Sequence, residues 1–355
     1  MSVDLEQFKV VRLSATSFAV REFETSLFER YGLSINKVET TDPDEVTTSI
    51  EDADAVFVIT NYLPAQIIDR LTRCRVISRI GTGCDKIDTD RARERGILVT
   101  NVPYFCIEEQ ADHAMALILA LERKLPQMSQ LMREGGWRRS REVNKTNRRV
   151  STRTLGLVGF GNSAKHLARR AGGFGMRILA TRRNMDAPRE EADALGVEMV
   201  DLETLLRESD YVSLHLDLSK ATYHMIDAKA LATMKPDAFL INTSRGAIVD
   251  EIALADALRS GKLRGAGIDT FEQIDVHYAE DGPQEHPFFE LDNIILTPHC
   301  AAASVEAGED VTRGSIENVV SVLNDCMPAE GNIVNRGVVP RQPLKPHDPE
   351  ILISP

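Results

Sequence analysis

The sequence has few of the features that mark secreted, membrane-bound or zinc-stabilised proteins. Its 355 residues include five cysteines, an odd number, and no two of them form a close Cys-x-x-Cys pair. This pattern indicates neither a disulfide framework nor a zinc knuckle, and we expect no metal. The first residues, MSVDLEQFKVVRLSA, lack a basic patch followed by an apolar core, so we do not expect a signal peptide.

Long apolar runs and a net positive charge are also missing. The longest apolar stretches, such as AMALILAL, are too short to span a membrane. A net charge of -12 argues against nucleic acid or an anionic membrane as a partner. One local exception, WRRSREVNKTNRRVSTR, carries seven basic residues against one Glu, and we interpret it as a solvated arm or a subunit contact. We expect a soluble, cytoplasmic protein with reduced thiols.

What the chain does contain is an alternation of short apolar runs with segments of helical period, which predicts parallel sheets joined by crossover helices. One long helix is predicted from about Glu108 to Gly135. The candidate strands are FKVVRLSA, DAVFVIT, RVISRIG and ILVTNVP in a first series, then LGLVGFG, RILAT, YVSLHL, AFLINTS, GAGIDTF and NIILTPH in a second.

These two series predict an α/β fold of two doubly wound parallel-sheet domains, with a Rossmann dinucleotide-binding domain inserted into a flavodoxin-like substrate domain. Residues 1–105 and 300–330 would form the substrate domain, because we expect the last helix to return to the first series. Residues 106–299 would form the dinucleotide-binding domain, and residues 331–355 an extended C-terminal tail. A ligand would bind in the cleft between the domains, at the carboxyl ends of the strands.

The stretch GLVGFGNSA has the form of a phosphate-binding turn between a strand and a helix. Gly159 permits the tight turn, Gly161 lets the backbone approach a pyrophosphate, and Ala164 allows close packing of helix and strand. Amide groups at the start of the helix would face the phosphates. This context favours a dinucleotide site over a structural turn.

An acid is expected about 20 residues beyond such a turn, yet ILATRRNMD places Arg182 and Arg183 there. Guanidinium groups bind a phosphate bidentately, whereas an acid would bind a ribose hydroxyl and repel a 2′-phosphate. The pair favours NADP(H) over NAD(H). Two observations leave this open, because the arginines could point to water and Asp217 also follows a strand on the adenosine side.

Three further stretches resemble the D-isomer-specific 2-hydroxyacid dehydrogenases, which include D-glycerate, hydroxypyruvate and phosphoglycerate dehydrogenases. They are INTSRGAIVDEIALADALRSGKLRGAGIDTFE, NIILTPHCAA and ISRIGTGCDKIDTDRARERGILVTNVP, and the similarity covers the chain from about Asp54 to Asn324. The resemblance implies an NAD(P)-dependent oxidoreductase that transfers a hydride between the cofactor and a small D-2-hydroxy acid or 2-oxo acid. It also implies a homodimer.

The resemblance carries a catalytic assignment onto matching residues. Arg245, in NTSRG, would bind the substrate carboxylate and polarise the carbonyl, and His299, in TPH, would donate the proton to the forming alkoxide. The family's supporting glutamate is displaced here, because five residues beyond Asp269 lies Ile274. Counting six residues back from His286 reaches Glu280, our choice. Glu272 and Asp275 are weaker alternatives to Glu280 as the supporting acid.

Other residues match the family's binding groups. Thr82 and Gly83, in GTGCD, would bind the substrate carboxylate through backbone amides. The predicted cofactor contacts are Gly159, Gly161, Asn162, Ser163, Arg182, Arg183, His215, Thr243 and Asp269. Cys84 and Cys300 are interpreted as small apolar fillers that could confer sensitivity to thiol reagents.

The loop NYLP limits the range of expected substrates, because no Lys or Arg occurs from Ala55 to Ile68. A phosphorylated substrate is disfavoured, unless a cation from elsewhere substitutes, and glyoxylate, hydroxypyruvate or a similar 2-oxo acid fits better. Alternatives that remain open are phosphoglycerate dehydrogenase, a dinucleotide-sensing corepressor with little turnover, and a formate- or phosphite-type dehydrogenase of the same fold.

Overall fold

The computed structural model describes residues 3–14, 21–276, 279, 282 and 285–352. The chain divides into two compact units, the first formed by residues Met1–Phe105 and Ser304–Pro355 and the second by Cys106–Ala303. Among the described residues, no helix has the length and hydrophobicity needed to cross a membrane.

Strands and helices alternate through both units. The strands are β1 (Val10–Ser14), β2 (Ile35–Glu39), β3 (Ala55–Val58), β4 (Val76–Arg79), β5 (Leu98–Thr100), β6 (Thr154–Val158), β7 (Arg177–Thr181), β8 (Val197–Met199), β9 (Tyr211–Leu214), β10 (Phe239–Asn242), β11 (Gly265–Ile268) and β12 (Ile294–Leu296). The helices are α1 (Glu22–Tyr31), α2 (Pro43–Ile50), α3 (Ala65–Ile68), α4 (Thr89–Glu94), α5 (Ile107–Arg123), α6 (Leu125–Arg133), α7 (Trp137–Val143), α8 (Asn162–Gly173), α9 (Glu190–Ala194), α10 (Leu202–Glu208), α11 (Ala228–Thr233), α12 (Glu251–Arg259) and α13 (Val305–Leu323).

The first unit contains a parallel sheet in the order β2-β1-β3-β4-β5. Its inner strands β1 and β3 are buried along their whole length, as expected for a parallel sheet covered on both faces. Helix α13 packs on this sheet, and the Ser78 hydroxyl on β4 donates to the carbonyl oxygen of Ser315 on that helix, at 3.1 Å. The terminal helix therefore belongs to the first unit.

The second unit contains a parallel sheet in the order β12-β11-β10-β9-β6-β7-β8. The chain starts at β6, winds outward through β7 and β8, then crosses back to β9 and winds the other way. The reversal between β6 and β9 is the topological switch point at which doubly wound sheets bind dinucleotides. The predicted fold class is confirmed.

The single long helix predicted from Glu108 to Gly135 is wrong. Lys124 adopts a left-handed conformation with φ of 51° and ends α5, and α6 begins at once with Pro126 in its first turn. A proline suits a helix start and cannot continue the ladder of a preceding helix. Helix α6 therefore leaves the line of α5, and none of its residues is buried.

The C-terminal tail is bound along the first unit. The Arg341 guanidinium donates to the carbonyl oxygens of Arg95, Thr72 and Leu71 at 2.6 to 3.1 Å. The buried Asn335 side chain accepts from the N–H of Val99 on β5 at 2.9 Å. These bonds satisfy backbone groups near the end of the sheet that would otherwise need water.

Candidate active site

The turn after β6 has the geometry of a phosphate-binding loop. Gly159 has φ of 95°, and a Cβ there would lie 2.1 Å from the carbonyl oxygen of His215. By contrast, a Cβ on Gly161 would meet nothing within 4 Å, so the space above this residue is open. Gly161 caps α8 without a side-chain hydrogen bond, and no acid lies in the first turn. The helix start therefore offers its amide groups and positive dipole end to an anion.

His215, whose carbonyl oxygen lies next to Gly159, also contacts this turn through its side chain. Its Nδ1 lies 3.0 Å from the Ser163 hydroxyl and its Nε2 lies 3.0 Å from the Ser213 hydroxyl. Removal of the ring from water lowers the pKa of His215 to about 4. The ring is therefore neutral near pH 7 and links strand β9 to the first turn of α8.

The two arginines after β7 have different surroundings. Arg182 is half-buried, and its Nη2 donates to the carbonyl oxygens of Ala187 and Pro188, the latter at 2.9 Å. Its Nε is buried with no partner in the described part of the chain. Arg183 is exposed, as is Asp217 after β9. Arg182 thus shapes the loop, while Arg183 is presented to solvent.

Arg245 follows β10 at a tightly bonded strand end. The Asn242 side chain donates to the carbonyl oxygen of Arg245 at 2.9 Å and accepts from the N–H of Ser244 at 3.0 Å. The Ser244 hydroxyl donates to the carbonyl oxygen of Leu214 on β9 at 2.6 Å. Thr243 between them is buried. The backbone that carries the Arg245 guanidinium is therefore fixed on both sides.

The segment after Arg245 packs against the segment after β11. A Cβ on Gly246 would lie 2.0 Å from the carbonyl carbon of Phe271, which leaves room only for glycine. Strands β10 and β11 are parallel, with Asn242 opposite Ile268, so both segments leave the sheet at the same edge. This edge is the one at which α/β enzymes place ligands.

Asp269, the first residue after β11, holds the segment that carries His299. Its Oδ1 accepts from the Thr297 hydroxyl at 2.6 Å and from the N–H of Cys300 at 3.0 Å, and its Oδ2 accepts from the N–H of Ala301 at 3.0 Å. The His299 N–H donates to the carbonyl oxygen of Asp269 at 2.8 Å. The carboxylate is fully buried, and the predicted contact of Asp269 with the cofactor stays a prediction.

Cys300 belongs to a group that could in principle bind a metal. Its Sγ, a carboxylate oxygen of Asp269 and a ring nitrogen of His113 lie within 4.8 Å of one another. Burial and the neighbouring Asp269 carboxylate raise the pKa of the Cys300 thiol, so it stays protonated and weakly nucleophilic. The Asp269 Oδ1 already accepts two hydrogen bonds, so the hydrogen-bond network accounts for this cluster without an ion.

The acid that supports His299 is the least defined part of the site. Glu280, our choice, lies outside the described residues. The Glu272 carboxylate lies 2.7 Å from Nε2 of His224, which occupies it. The Glu272 backbone N–H donates to the buried Glu251 carboxylate at 2.8 Å. Asp275 is described, and its carbonyl oxygen accepts from the N–H of residue 279.

The GTGCD loop follows β4 in the first unit. Arg79 donates from Nε to the carbonyl oxygen of Gly83 at 3.0 Å, and the Asn101 side chain donates to that of Thr82 at 2.6 Å. Within the described residues of this unit, the N–H groups of Thr82 and Gly83 donate to no protein acceptor. Side chains of the same unit therefore bind the carbonyl groups of this loop, and two of its amide donors stay open for an anion.

A cation does lie next to the NYLP loop, although the loop has none of its own. The Lys86 ammonium is 4.6 Å from the centre of the exposed Tyr62 ring. Sequence reasoning missed this neighbour because 24 positions separate the two residues. It also missed His113, which lies among the apolar positions of α5 and carries no motif, and it gave no role to Glu251 within the INTSRGAIVDEIALADAL stretch.

Comparisons with known proteins agree with this geometry. A family model described as D-isomer specific 2-hydroxyacid dehydrogenase, NAD binding domain, matches residues 115–301. A glyoxylate reductase from Thermococcus litoralis is 38% identical over 299 residues, which span 83% of this chain and 87% of that protein. The chain belongs to the D-isomer specific 2-hydroxyacid dehydrogenase family.

Solved structures extend the likeness to most of the chain. An NADPH-dependent glyoxylate/hydroxypyruvate reductase from Sinorhizobium meliloti, in complex with NADP and malonate, is 27% identical with a TM-score of 0.79, covering 95% of this chain and 100% of that one. A D-lactate dehydrogenase from Aquifex aeolicus, complexed with NAD and lactic acid, is 28% identical with a TM-score of 0.77, covering 92% and 99%.

The predicted family and enzyme class are confirmed. This D-2-hydroxyacid dehydrogenase is an NAD(P)-dependent oxidoreductase that transfers a hydride between a nicotinamide cofactor and a small 2-hydroxy acid or 2-oxo acid. The two solved relatives hold different cofactors, one NADP and the other NAD. The choice between the two cofactors therefore depends on the residues of this chain.

Proposed function

We propose that this enzyme reduces glyoxylate, hydroxypyruvate or a closely similar 2-oxo acid, with Arg245 and His299 as its catalytic residues. The observation that carries the proposal is the convergence of three segments at one sheet edge. The segment after Arg245 packs against Phe271, and the segment bearing His299 is bonded to Asp269. The glyoxylate reductases among its relatives support the substrate class.

Each residue has a role that its chemistry permits. The Arg245 guanidinium binds the substrate carboxylate and draws electron density from the neighbouring carbonyl oxygen. His299 donates a proton to that oxygen as it becomes an alkoxide, and accepts the proton back in the oxidative direction. Bound NAD(P)H supplies the hydride. The family resemblance assigns amide donors for a carboxylate to Thr82 and Gly83, and it assigns to Glu280 the role of keeping His299 protonated.

Two features of the second unit support a dinucleotide site at the turn after β6. Gly161 leaves open space over the start of α8, and that helix start has no competing acid. We assign the pyrophosphate to this turn, with Asn162 and Ser163 in the first turn of the helix and His215 beneath them. Thr243 and Asp269 are assigned to the nicotinamide side.

We further propose a preference for NADP(H). Arg183 is exposed, and Arg182 next to it binds two carbonyl oxygens of the same loop. The Arg183 guanidinium therefore occupies the position at which NAD-specific sites have an acid. The buried Arg182 Nε lacks a partner among the described residues and offers a second donor. Together the pair suits a 2′-phosphate.

A homodimer is proposed from the surface of α6 and α7. Within these two helices Leu125, Met132 and Trp137 are exposed, Trp137 to 66%. Large apolar side chains that are exposed in a single protomer are available to be covered by a second copy of the chain. Sedimentation equilibrium of the purified protein tests this, and a monomer at micromolar concentration would contradict it.

A cytoplasmic location is proposed from the thiols. None of the five cysteines forms a disulfide in the structure, and two of them, Cys84 and Cys300, are partly accessible. Reduced, accessible thiols are typical of reducing compartments. Recovery of the protein from the culture medium rather than the cell lysate would contradict this location.

The catalytic assignment is tested by replacing Arg245 with Ala and with Lys. We expect Arg245→Ala to lose measurable turnover while NADPH still binds, because the guanidinium contacts substrate and not the phosphate turn. Lys keeps the charge without the planar fork, so we expect it to retain a small fraction of kcat/KM. Near-normal turnover by Arg245→Ala would refute the assignment.

A further inference from the structure

Helix α5 packs on strand β11, and one glycine determines how close the two elements come. A Cβ on Gly267 would come 3.1 Å from the Cβ of Leu117, so the bare backbone of β11 lets α5 settle onto it. Four residues of helix rise about 6 Å, close to the roughly 6.6 Å spanned by two residues of strand. His113, four residues before Leu117, therefore comes level with Asp269, two residues after Gly267.

A hydrogen-bond chain runs from His113 to the catalytic edge. The Thr297 hydroxyl has a single proton and lies 2.6 Å from Oδ1 of the buried Asp269, a carboxylate that can only accept. Nε2 of His113 lies 3.0 Å from the same hydroxyl oxygen. The hydroxyl donates to Asp269, so His113 must donate its Nε2–H to Thr297.

This chain ends at the segment that presents His299. Asp269 accepts from the N–H groups of Cys300 and Ala301, on the far side of His299 from Thr297. His299 itself has φ of 53°, a left-handed conformation that is unfavourable for a residue with a side chain. Such a conformation persists only where the surroundings hold it.

We propose that His113 is a positioning residue for this reaction, acting through Thr297 and Asp269 to hold His299 in its productive orientation. The inference rests on the proposed role of His299 as proton donor. His113 fixes the direction in which the Thr297 hydroxyl points, and that hydroxyl fixes the carboxylate that binds both sides of His299. Loss of His113 lets the hydroxyl rotate and loosens the segment without removing any group that touches substrate.

The test uses the full-length enzyme with five variants: His113→Ala, His113→Gln, Thr297→Val, Thr297→Ser and the double variant His113→Ala/Thr297→Val. A single neutral hydrogen bond corresponds to a roughly three- to tenfold effect, so we expect kcat to fall by that factor in His113→Ala and Thr297→Val. The double variant should lose no more than either single one, because the two residues act in series. The dissociation constant of NADPH should stay within twofold.

Conservative replacements separate positioning from bulk stability. Gln at 113 can donate an amide proton and Ser at 297 keeps the hydroxyl, so both should recover most of kcat. His166→Ala is the matched control, because the His166 side chain is 26% exposed against 22% for His113 and lies on α8 beside Glu108. It should leave kcat unchanged.

Two outcomes overturn the proposal: an unaltered kcat in Thr297→Val, or additive losses in the double variant. If His113→Ala does not fold, Thr297→Val and its rescue by Thr297→Ser decide the matter alone. His299→Asn separates this proposal from the proposed function. If His299→Asn is active, the assignment of His299 as proton donor is refuted, and the proposed function fails with it. If His299→Asn is inactive but Thr297→Val has normal activity, only the proposed role of His113 is refuted.

Discussion

Gly159 and His215 are so close that the structure leaves no room for a side chain between them. A Cβ at position 159 would lie 2.1 Å from the carbonyl oxygen of His215, and φ at Gly159 is 95°. Strand β9 therefore reaches the phosphate-binding turn of β6 only because residue 159 is glycine. The crowding joins the two strands on either side of the switch point.

Replacing Gly159 by Ala should weaken cofactor binding. Relief of the overlap must move the turn or strand β9, and overpacking of this kind destabilises a fold by about 1–3 kcal/mol. A displaced turn presents its amide groups less well to the pyrophosphate, so the dissociation constants of both cofactors should rise. Titration of the variant with NADPH and NADH measures the change. Gly173→Ala on α8 is the control, because a Cβ there meets nothing within 4 Å. Equal affinity in the two variants would contradict the turn assignment.

Replacing Arg183 by Asp should weaken NADPH binding more than NADH binding. A charge-assisted hydrogen bond to phosphate contributes about 1.5–3 kcal/mol, so the dissociation constant for NADPH should rise roughly 10- to 150-fold. Arg182→Asp should do the same and also loosen the loop at residues 187–188, so NADH binding should suffer there too. Arg207→Asp, an exposed change on α10, is the control. Equal effects on the two cofactors in Arg183→Asp would mean that this guanidinium does not bind the 2′-phosphate.

His215 should not titrate near neutral pH. Its pKa is lowered from 6.5 to about 4 by burial, so the folded protein binds the proton less readily than the unfolded chain. The stability contributed by the neutral ring is therefore fully present above pH 6.5 and is lost as the pH falls toward 4. NMR titration of ring-labelled histidines, with His215→Asn to assign the signal, measures this. If the signal that disappears in that variant titrates near pH 6.5 in the wild-type enzyme, the lowered pKa of His215 is contradicted.

The strands that sequence analysis found and missed differ in burial. The inner strands of both sheets were visible as continuous apolar runs, as in β3 and β9, whose residues are all buried. The edge strands β2 and β8 were missed, because INKVE and VEM alternate polar with apolar residues and have exposed positions. A two-sided burial pattern is a strong signal, whereas a short edge strand resembles a loop.

The site could be predicted to a similar degree. The roles of Gly159 and Gly161 could be predicted from the sequence, because a phosphate-binding turn between a strand and a helix requires glycine at these positions. The contact of His113 with Thr297 and the position of Lys86 beside Tyr62 could not be predicted, because each depends on packing between segments that are separated in the sequence. The helix break at Lys124 was missed because the apolar period continues through it, although Pro126 two residues later is a signal that could have located it.

The most direct test of the central claim is a cofactor-oxidation assay of the wild-type enzyme. It crosses NADPH and NADH with glyoxylate, hydroxypyruvate, pyruvate, longer 2-oxo acids and 3-phosphohydroxypyruvate. Our account predicts the highest kcat/KM for NADPH with glyoxylate or hydroxypyruvate, and a much lower value with the phosphorylated acid. Binding of both cofactors without turnover of any acid would contradict it.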